Sequence, residues 1–158
     1  HELVEAESPA LVLVAADSRY QLMEEGERLG ERNTEAWAMA LTAGLERLSE
    51  HAPTIVIADT PRVGYLPAEC LATSEGVEDC DIDRARMVDE AYAELEAAAA
   101  AAAGAGLVSA TDWLCFEQDC PIVRGSKLVY RDSHHLSATF ADRRSERLGA
   151  AIDAVLGD

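Results

Sequence analysis

The stretch ALVLVAA, residues 10–16, is a continuous apolar run that follows Pro9 and ends in Asp17-Ser18-Arg19, the pattern of a short strand buried on both faces. A second such run, TIVIA at residues 54–58, follows Pro53 and stops at Asp59-Thr60-Pro61. Between them Trp37, Leu41, Leu45 and Leu48 recur at helical spacing over Asn33–His51, with Asn33 or Thr34 as N-cap and Glu35 in the first turn. Downstream, a long helix is expected over Ile82–Ala103; its last turns are the seven alanines Ala97–Ala103, stopped by Gly104. Alanine is the strongest helix former and packs closely on a sheet, so this run reads as helix rather than as a disordered linker. A weaker strand is expected at Gly106–Ala110, an extended piece at Leu128–Tyr130, and a final helix from Ser137 with Phe140, Leu148, Ile152 and Val155 facing inward. Strand and helix in alternation specify an α/β layer protein with a parallel sheet, here one domain over residues 1–158. Three strands are few for that architecture, and the chain opens at His1 partway into a helix without a start methionine or signal peptide. An N-terminal strand is therefore expected upstream of His1.

Composition narrows the partners. Lys and Arg number 13 and Asp and Glu 30, a formal net charge of −17, while 49% of residues are hydrophobic, enough for one core. Such a field repels phosphate backbones and anionic membrane surfaces. The 13 cations are scattered along the chain, so no local basic patch is expected and nucleic acid is excluded as a partner. The longest apolar stretch, Leu95–Val108, is too short to span a bilayer, is mostly alanine and is interrupted by Glu96 and glycines. Four cysteines fall in two close pairs, Cys70 with Cys80 and Cys115 with Cys120, each in loop-like, proline-containing sequence. The spacing favours two local disulfides in an oxidising compartment, with free buried thiols as the alternative. Four-thiolate zinc binding would need tighter knuckles, and the adjacent His134 and His135 do not readily face one ion, so neither a metal nor another cofactor is expected.

In an open parallel sheet, ligands gather at the carboxyl ends of the strands. Three polar clusters belong there: Asp17-Ser18-Arg19, Asp59-Thr60-Pro61 and Asp132-Ser133-His134-His135. In the third, a carboxylate three residues before a histidine can receive the imidazole Nδ1 hydrogen bond while Nε2 faces a substrate. Asp132 would orient and His135 would act as base. By spacing alone the Asp-x-x-His pattern is also that of a solvated loop or a helix cap. Trp37 reads as core on its helix face, Trp113 as either packing on a disulfide or lining a cleft, and Asp59 and Asp112 as loop or cap residues.

Four blocks give the pattern more weight: PALVLVAADSRY at 9–20, IVIADTPRVGYLPAECL at 55–71 with Cys80 as partner, TDWLCFEQDCPIV at 111–123, and LVYRDSHHLSATFA at 128–141. Together they resemble the SGNH domain attached to acyltransferase family 3 membrane proteins, which O-acylate cell-surface and cell-wall glycans. The resemblance implies a three-layer α/β/α fold of SGNH (flavodoxin-like) type, truncated at its N-terminus, and an extracytoplasmic position tethered by a membrane domain. It places the acid and base of a Ser-His-Asp triad on Asp132 and His135, and leaves His134 as a loop residue that hydrogen-bonds backbone. It implies a glycan acceptor and an acyl donor, expected to be acetyl, delivered by the membrane acyltransferase domain. The family's Gly-Asp-Ser turn, which bears the nucleophile, has no match here and is expected upstream of His1; Ala15-Ala16-Asp17-Ser18 makes Ser18 the runner-up. Where the superfamily has a Gly-x-Asn-Asp block whose asparagine donates to the oxyanion, this chain has Asp17, whose charge repels an oxyanion and which Arg19 would have to offset. The alternatives are a carbohydrate or lipid esterase using the same triad, and a non-catalytic glycan-binding module that kept the fold.

Overall fold

Small and β-branched residues, cut off by prolines before and polar residues after, make the runs at 10–16 and 54–58 strands rather than helix segments. A computed structural model describes residues 2–17 and 19–157. In chain order the elements are α1 (Glu2–Glu7), β1 (Val12–Ala15), β2 (Met23–Glu24), β3 (Glu27–Arg28), α2 (Asn33–Ser49), β4 (Thr54–Ile57), α3 (Pro67–Thr73), β5 (Ile82–Asp83), α4 (Arg84–Met87) and α5 (Glu90–Ala102). There follow β6 (Gly106–Val108), α6 (Thr111–Leu114), β7 (Asp119–Cys120), β8 (Val123–Arg124), β9 (Lys127–Leu128), α7 (Ala138–Asp142) and α8 (Ser145–Leu156). The chain divides into two compact units, His1–Asp59 with Glu90–Val108, and Thr60–Asp89 with Ser109–Asp158.

The first unit holds the expected parallel sheet, in the order β1-β4-β6, with Val14 opposite Val56 and Val56 opposite Leu107. Central β4 is the strand with buried residues, Thr54, Ile55 and Val56. β1 departs from expectation: it alternates half-buried and exposed residues, and Leu13 is 50% exposed. Its partner among the described strands is β4 alone, so it is an edge strand with one covered face. Helices α2 and α5 pack on each other and share a core of Leu45, Val56, Ala99 and Ala100 with the sheet. The alanine run thus does what its size allows, bringing the α5 backbone close to β4 and β6. Trp37 is core as expected, buried on α2 with its ring 4.5 Å from that of Tyr92 on α5. Asn33 does not cap α2. It is the helix's first residue, and its amide instead accepts from the Leu22 N–H at 2.7 Å and donates to the Tyr20 carbonyl at 2.8 Å, pinning the preceding hairpin segment.

Two long helices read from the sequence are each broken. Ile82–Asp83 pairs antiparallel with Asp119–Cys120, α4 ends at Met87, Val88 is extended, and α5 begins at Glu90. Strand pairing with a segment some forty residues away outweighs helical propensity there. The last helix is divided at Arg143–Arg144 into α7 and α8; Phe140 is buried, but Val155, expected to face inward, is 41% exposed.

The second unit is organised by its cross-links. Cys70 is bonded to Cys80 and Cys115 to Cys120, the pairing expected from the short loops. Cys80, Cys115 and Cys120 lie inside a core with Val63, Met87, Leu114, Ile122, Val129, Tyr130 and Phe140. The tight β8–β9 hairpin turns through Gly125 at φ 60°, a left-handed conformation suited to glycine. Non-reducing peptide mapping should return the 70–80 and 115–120 pairs, and replacing both members of either pair by alanine should lower unfolding stability by about 2 to 3 kcal/mol.

One buried group in the first unit escaped the sequence reading. Glu96 on α5 is 1% exposed; its Oε2 accepts the Asp59 N–H at 3.2 Å, just past the end of β4, while Oε1 has no partner. Burial, and secondarily the charge of Asp59, push its carboxyl up to about 7, against the lowering effect of the Asp59 N–H. An acid raised in the folded state binds more protons there than in the unfolded chain between its ordinary value and about 7, so stability falls as pH rises through that window. Thermal denaturation of wild type should therefore lose about 2 to 3 kcal/mol between pH 4 and pH 8 from this group, and Glu96→Gln should flatten that slope.

Candidate active site

The site begins with a tight connection between two anchored residues. Tyr130, fully buried, and Leu136 form an antiparallel bridge, and the Arg131 N–H donates to the His135 carbonyl at 2.8 Å, closing the loop 131–135. From outside the loop, the Gly64 N–H donates to the Ser133 carbonyl at 3.0 Å. Ser137 ends the loop and starts α7. Its hydroxyl donates to the Leu128 carbonyl at 2.5 Å and accepts from the Phe140 N–H at 3.3 Å, an N-cap that fixes where the helix begins.

Inside this frame the Asp132 carboxylate is the common acceptor. Its Oδ1 receives the backbone N–H groups of His134 at 3.1 Å and His135 at 2.9 Å. The His135 Nδ1 lies 2.9 Å from Oδ2 and 3.0 Å from Oδ1, and the Arg131 guanidinium reaches Oδ2 at 3.2 Å. The His135 and then the His134 backbone N–H, followed by the side chains of His135 and Arg131, hold the Asp132 carboxyl well below the usual carboxylate range. A permanently ionised acceptor at Nδ1 keeps the proton of neutral imidazole on that nitrogen and leaves Nε2 as the basic one. The His135 side chain is 55% exposed, and Nε2 has no hydrogen-bond partner among the described residues. The pair Asp132 and His135 is thus brought together in the geometry that the spacing suggests.

His134 departs from expectation in part. Its Nδ1 meets the Ser133 hydroxyl at 2.9 Å rather than a backbone group, and its ring lies 4.0 Å from that of His135. Contrary to the reasoning from adjacency, one ligating atom each from Asp132, His134 and His135 lie within 4.8 Å of one another. These are the residues that could hold a cation, but the Asp132 oxygens and His135 Nδ1 are already committed to each other, so metal ligation would dismantle the pair.

The other sequence candidates have surroundings of their own where they are described. Ser18 lies outside the described residues. Asp17 is in the first unit, where its Oδ1 accepts the Arg19 N–H at 2.7 Å, so Arg19 meets that carboxylate through its backbone. Asp59 supplies an N–H to Glu96. In the second unit Asp112 is exposed and paired with Arg84 at 3.0 Å. Trp113 is half-buried and carries the Arg147 guanidinium 5.0 Å from its ring centre. Two features escaped the sequence reading: the buried Glu96, whose signal is that Tyr92, Ala99 and Ala100 share its helix face and are all apolar, and the arginines that meet at Trp113, which spacing along the chain does not bring together.

A family model described as the SGNH domain (fused to AT3 domains) matches residues 1–149. Among solved structures the chain is similar to the periplasmic domain of a lipopolysaccharide acetyltransferase from Salmonella ser. Paratyphi A, with a TM-score of 0.69 at 15% identity. The likeness covers 96% of this chain and 59% of that one, so the chain spans less than two thirds of that neighbour's length, and at such identity it speaks for the fold alone. No curated protein matches. The parallel α/β sheet, the cross-links and the family match over residues 1–149 lead to one assignment: the chain belongs to the family of SGNH domains fused to AT3 acyltransferase domains.

Proposed function

We propose that the chain is the extracytoplasmic acyl-transferring domain of a surface-glycan O-acyltransferase and that Asp132 and His135 are its acid–base pair. The observation that carries the reading is the 2.9 Å contact between the Asp132 carboxylate and His135 Nδ1, with the rest of the exposed ring turned to solvent. In this mechanism His135 Nε2 takes the proton of a serine hydroxyl as its oxygen attacks the acyl carbonyl, and returns it to the departing donor group. In the second half it takes a proton from a sugar hydroxyl, whose oxygen attacks the acyl carbonyl, and returns that proton to the departing serine oxygen, leaving the acyl group, expected to be acetyl, on the glycan. Asp132 stays ionised throughout and stabilises the imidazolium. The nucleophile is assigned to the family's Gly-Asp-Ser turn, a tripeptide that does not occur in these 158 residues, with Ser18 as runner-up. The acyl donor is assigned to the fused membrane acyltransferase domain named in the family's description. The disulfides and the periplasmic origin of the structural neighbour support an oxidising, extracytoplasmic location. No described helix is long and apolar enough to cross a membrane, so a tether would come from another segment.

In the protein joined to its membrane domain, His135→Ala and Asp132→Asn should each lower acyl transfer by about 10³- to 10⁴-fold with unchanged circular dichroism. Because Asp132 remains ionised below the ordinary carboxylate range, the loss in Asp132→Asn should be similar across pH 5 to 8, without recovery at the alkaline end. Unimpaired transfer by His135→Ala would end the triad reading.

The 158-residue chain alone should turn over an activated acetyl ester no faster than buffer and gain activity when a segment carrying the Gly-Asp-Ser turn is added. Turnover by the chain alone that Ser18→Ala abolishes would instead make Ser18 the nucleophile. Product analysis with a glycan acceptor separates the two enzymatic classes, since transfer yields acylated sugar and hydrolysis yields free acid.

A further inference from the structure

Folding overturns the expectation of scattered cations. Residues 124–147 carry six of the 13 cations, Arg124, Lys127, Arg131, Arg143, Arg144 and Arg147, against three acids, Asp132, Asp142 and Glu146. The remaining sequence has seven cations against 27 acids. Within that segment Arg124 and Arg147 meet at Trp113: Arg124 Nη1 donates to its carbonyl at 2.8 Å, and the Arg147 guanidinium lies 5.0 Å from its ring centre. Arg144 stands three residues before Arg147 at the start of α8, and the charges of Arg144 and Arg147 add to burial in lowering Arg124.

Each of the three guanidiniums lies over an aromatic ring: Arg124 at 4.3 Å from Phe116, Arg144 at 4.8 Å from Phe140 and Arg147 at 5.0 Å from Trp113. Three other arginines pair with acids, Arg32 with Glu24 at 2.9 Å, Arg84 with Asp112 at 3.0 Å and Arg131 with Asp132 at 3.2 Å. None of the three clustered arginines has an ion pair among the described residues, although acids are abundant. Their one side-chain hydrogen bond within the described chain runs from Arg124 Nη1 to the Trp113 carbonyl at 2.8 Å, and the Nε atoms of Arg124 and Arg144 are buried without an acceptor. Asp119 is the acid whose charge reaches Arg124, as the weakest of the influences on it.

Position adds to the imbalance. Arg144 is the N-cap of the 12-residue α8 and Arg147 is in its first turn, the end of a helix where a cation is disfavoured. No side chain caps that end, so its first N–H groups have no side-chain acceptor and point the same way electrostatically as the guanidiniums. Glu146 in the same first turn offsets part of the helix-end potential, and the excess positive charge that the three guanidiniums leave is a cost to the folded chain that an anion from outside would relieve.

We propose that Arg124, Arg144, Arg147 and the start of α8 form a subsite for one anionic group, carboxylate or phosphate, carried on a sugar chain. A sugar chain is favoured over two other sources of anions. The strongly acidic remainder of the molecule repels an extended polyanion or an anionic bilayer, but tolerates an isolated charge on a neutral chain. Beside Arg124, the Phe116 ring is 57% exposed and offers a flat apolar surface to the C–H face of a sugar. Assigning that ligand as the acyl acceptor rests on the acyltransferase reading; binding of the anionic sugar does not.

Isothermal titration calorimetry on the intact chain tests the subsite. The anionic probes are cellobiouronate, a disaccharide with a single carboxylate, and glucose 6-phosphate; cellobiose, glucose, inorganic phosphate and phosphatidylglycerol vesicles are the comparisons. At least one anionic sugar should bind about tenfold or more tightly than its neutral counterpart, with affinity falling as salt rises. Arg147→Gln, an exposed residue with no hydrogen bond in the described chain, should remove about tenfold of that affinity, as should Arg124→Gln if it folds; Arg47→Gln on α2 should change nothing. Equal binding of charged and neutral sugars, indifference to Arg147→Gln, inorganic phosphate binding as tightly as the anionic sugars, or binding by vesicles alone would overturn the proposal. Charge-discriminating sugar binding in a protein that, joined to its membrane domain, transfers no acyl group would defeat the acyltransferase reading only, and transfer without charge discrimination would defeat this one only.

Discussion

The Asp132 carboxylate accepts two backbone N–H groups of its own loop and the Nδ1 of His135 at the same time. The first two bonds shape the turn, and the third orients the ring, so conformation and chemistry rest on one acceptor. A neutral side chain at 132 could keep the turn but would not hold the imidazole in the tautomer that leaves Nε2 basic. The carboxylate is in turn only as well placed as its loop, which depends on buried Tyr130, the Tyr130–Leu136 bridge and the Ser137 cap that starts α7. The core under that loop contains three half-cystines, so the cross-links stiffen the same unit that presents the pair.

The two units use different means of stability. In the first, a fully buried middle strand and an alanine-faced helix allow close packing with small side chains. That closeness also traps Glu96 against the end of β4 with one oxygen unsatisfied, making it a pH-sensitive weak point in an otherwise apolar contact. In the second, strands of two residues could not hold themselves, and the disulfides take over part of the work that a larger sheet would do.

Charge is distributed unevenly for a reason that the net value hides. A formal −17 excludes broad polyanion binding but says nothing about three arginines stacked on Phe116, Phe140 and Trp113 without acidic partners. Stacking on rings lets guanidiniums approach one another with their planar N–H edges still available, which an ion-paired arrangement would consume.

Much of this was readable from the chain itself. The apolar runs at 10–16 and 54–58, the helix face of Trp37 and Leu45, the short cysteine loops and the Asp132–His135 spacing are local patterns, and a local pattern survives folding when neighbouring residues alone satisfy it. The family blocks then singled out the terminal Asp-x-x-His among many possible loops. What the chain did not disclose depended on partners distant in sequence. The helix expected at 82–103 yielded because Ile82 found Cys120, and Asn33 abandoned its capping role because Tyr20 and Leu22 came within reach of its amide. Glu96 lost its water to the approach of α5 and β4, and Arg124 and Arg147, 23 positions apart in sequence, meet only at Trp113. Spacing along the chain determines which side chains share a turn or a helix face, whereas which charges stand together and which are stripped of solvent is decided by contacts between distant segments, and those contacts exist only in the folded units.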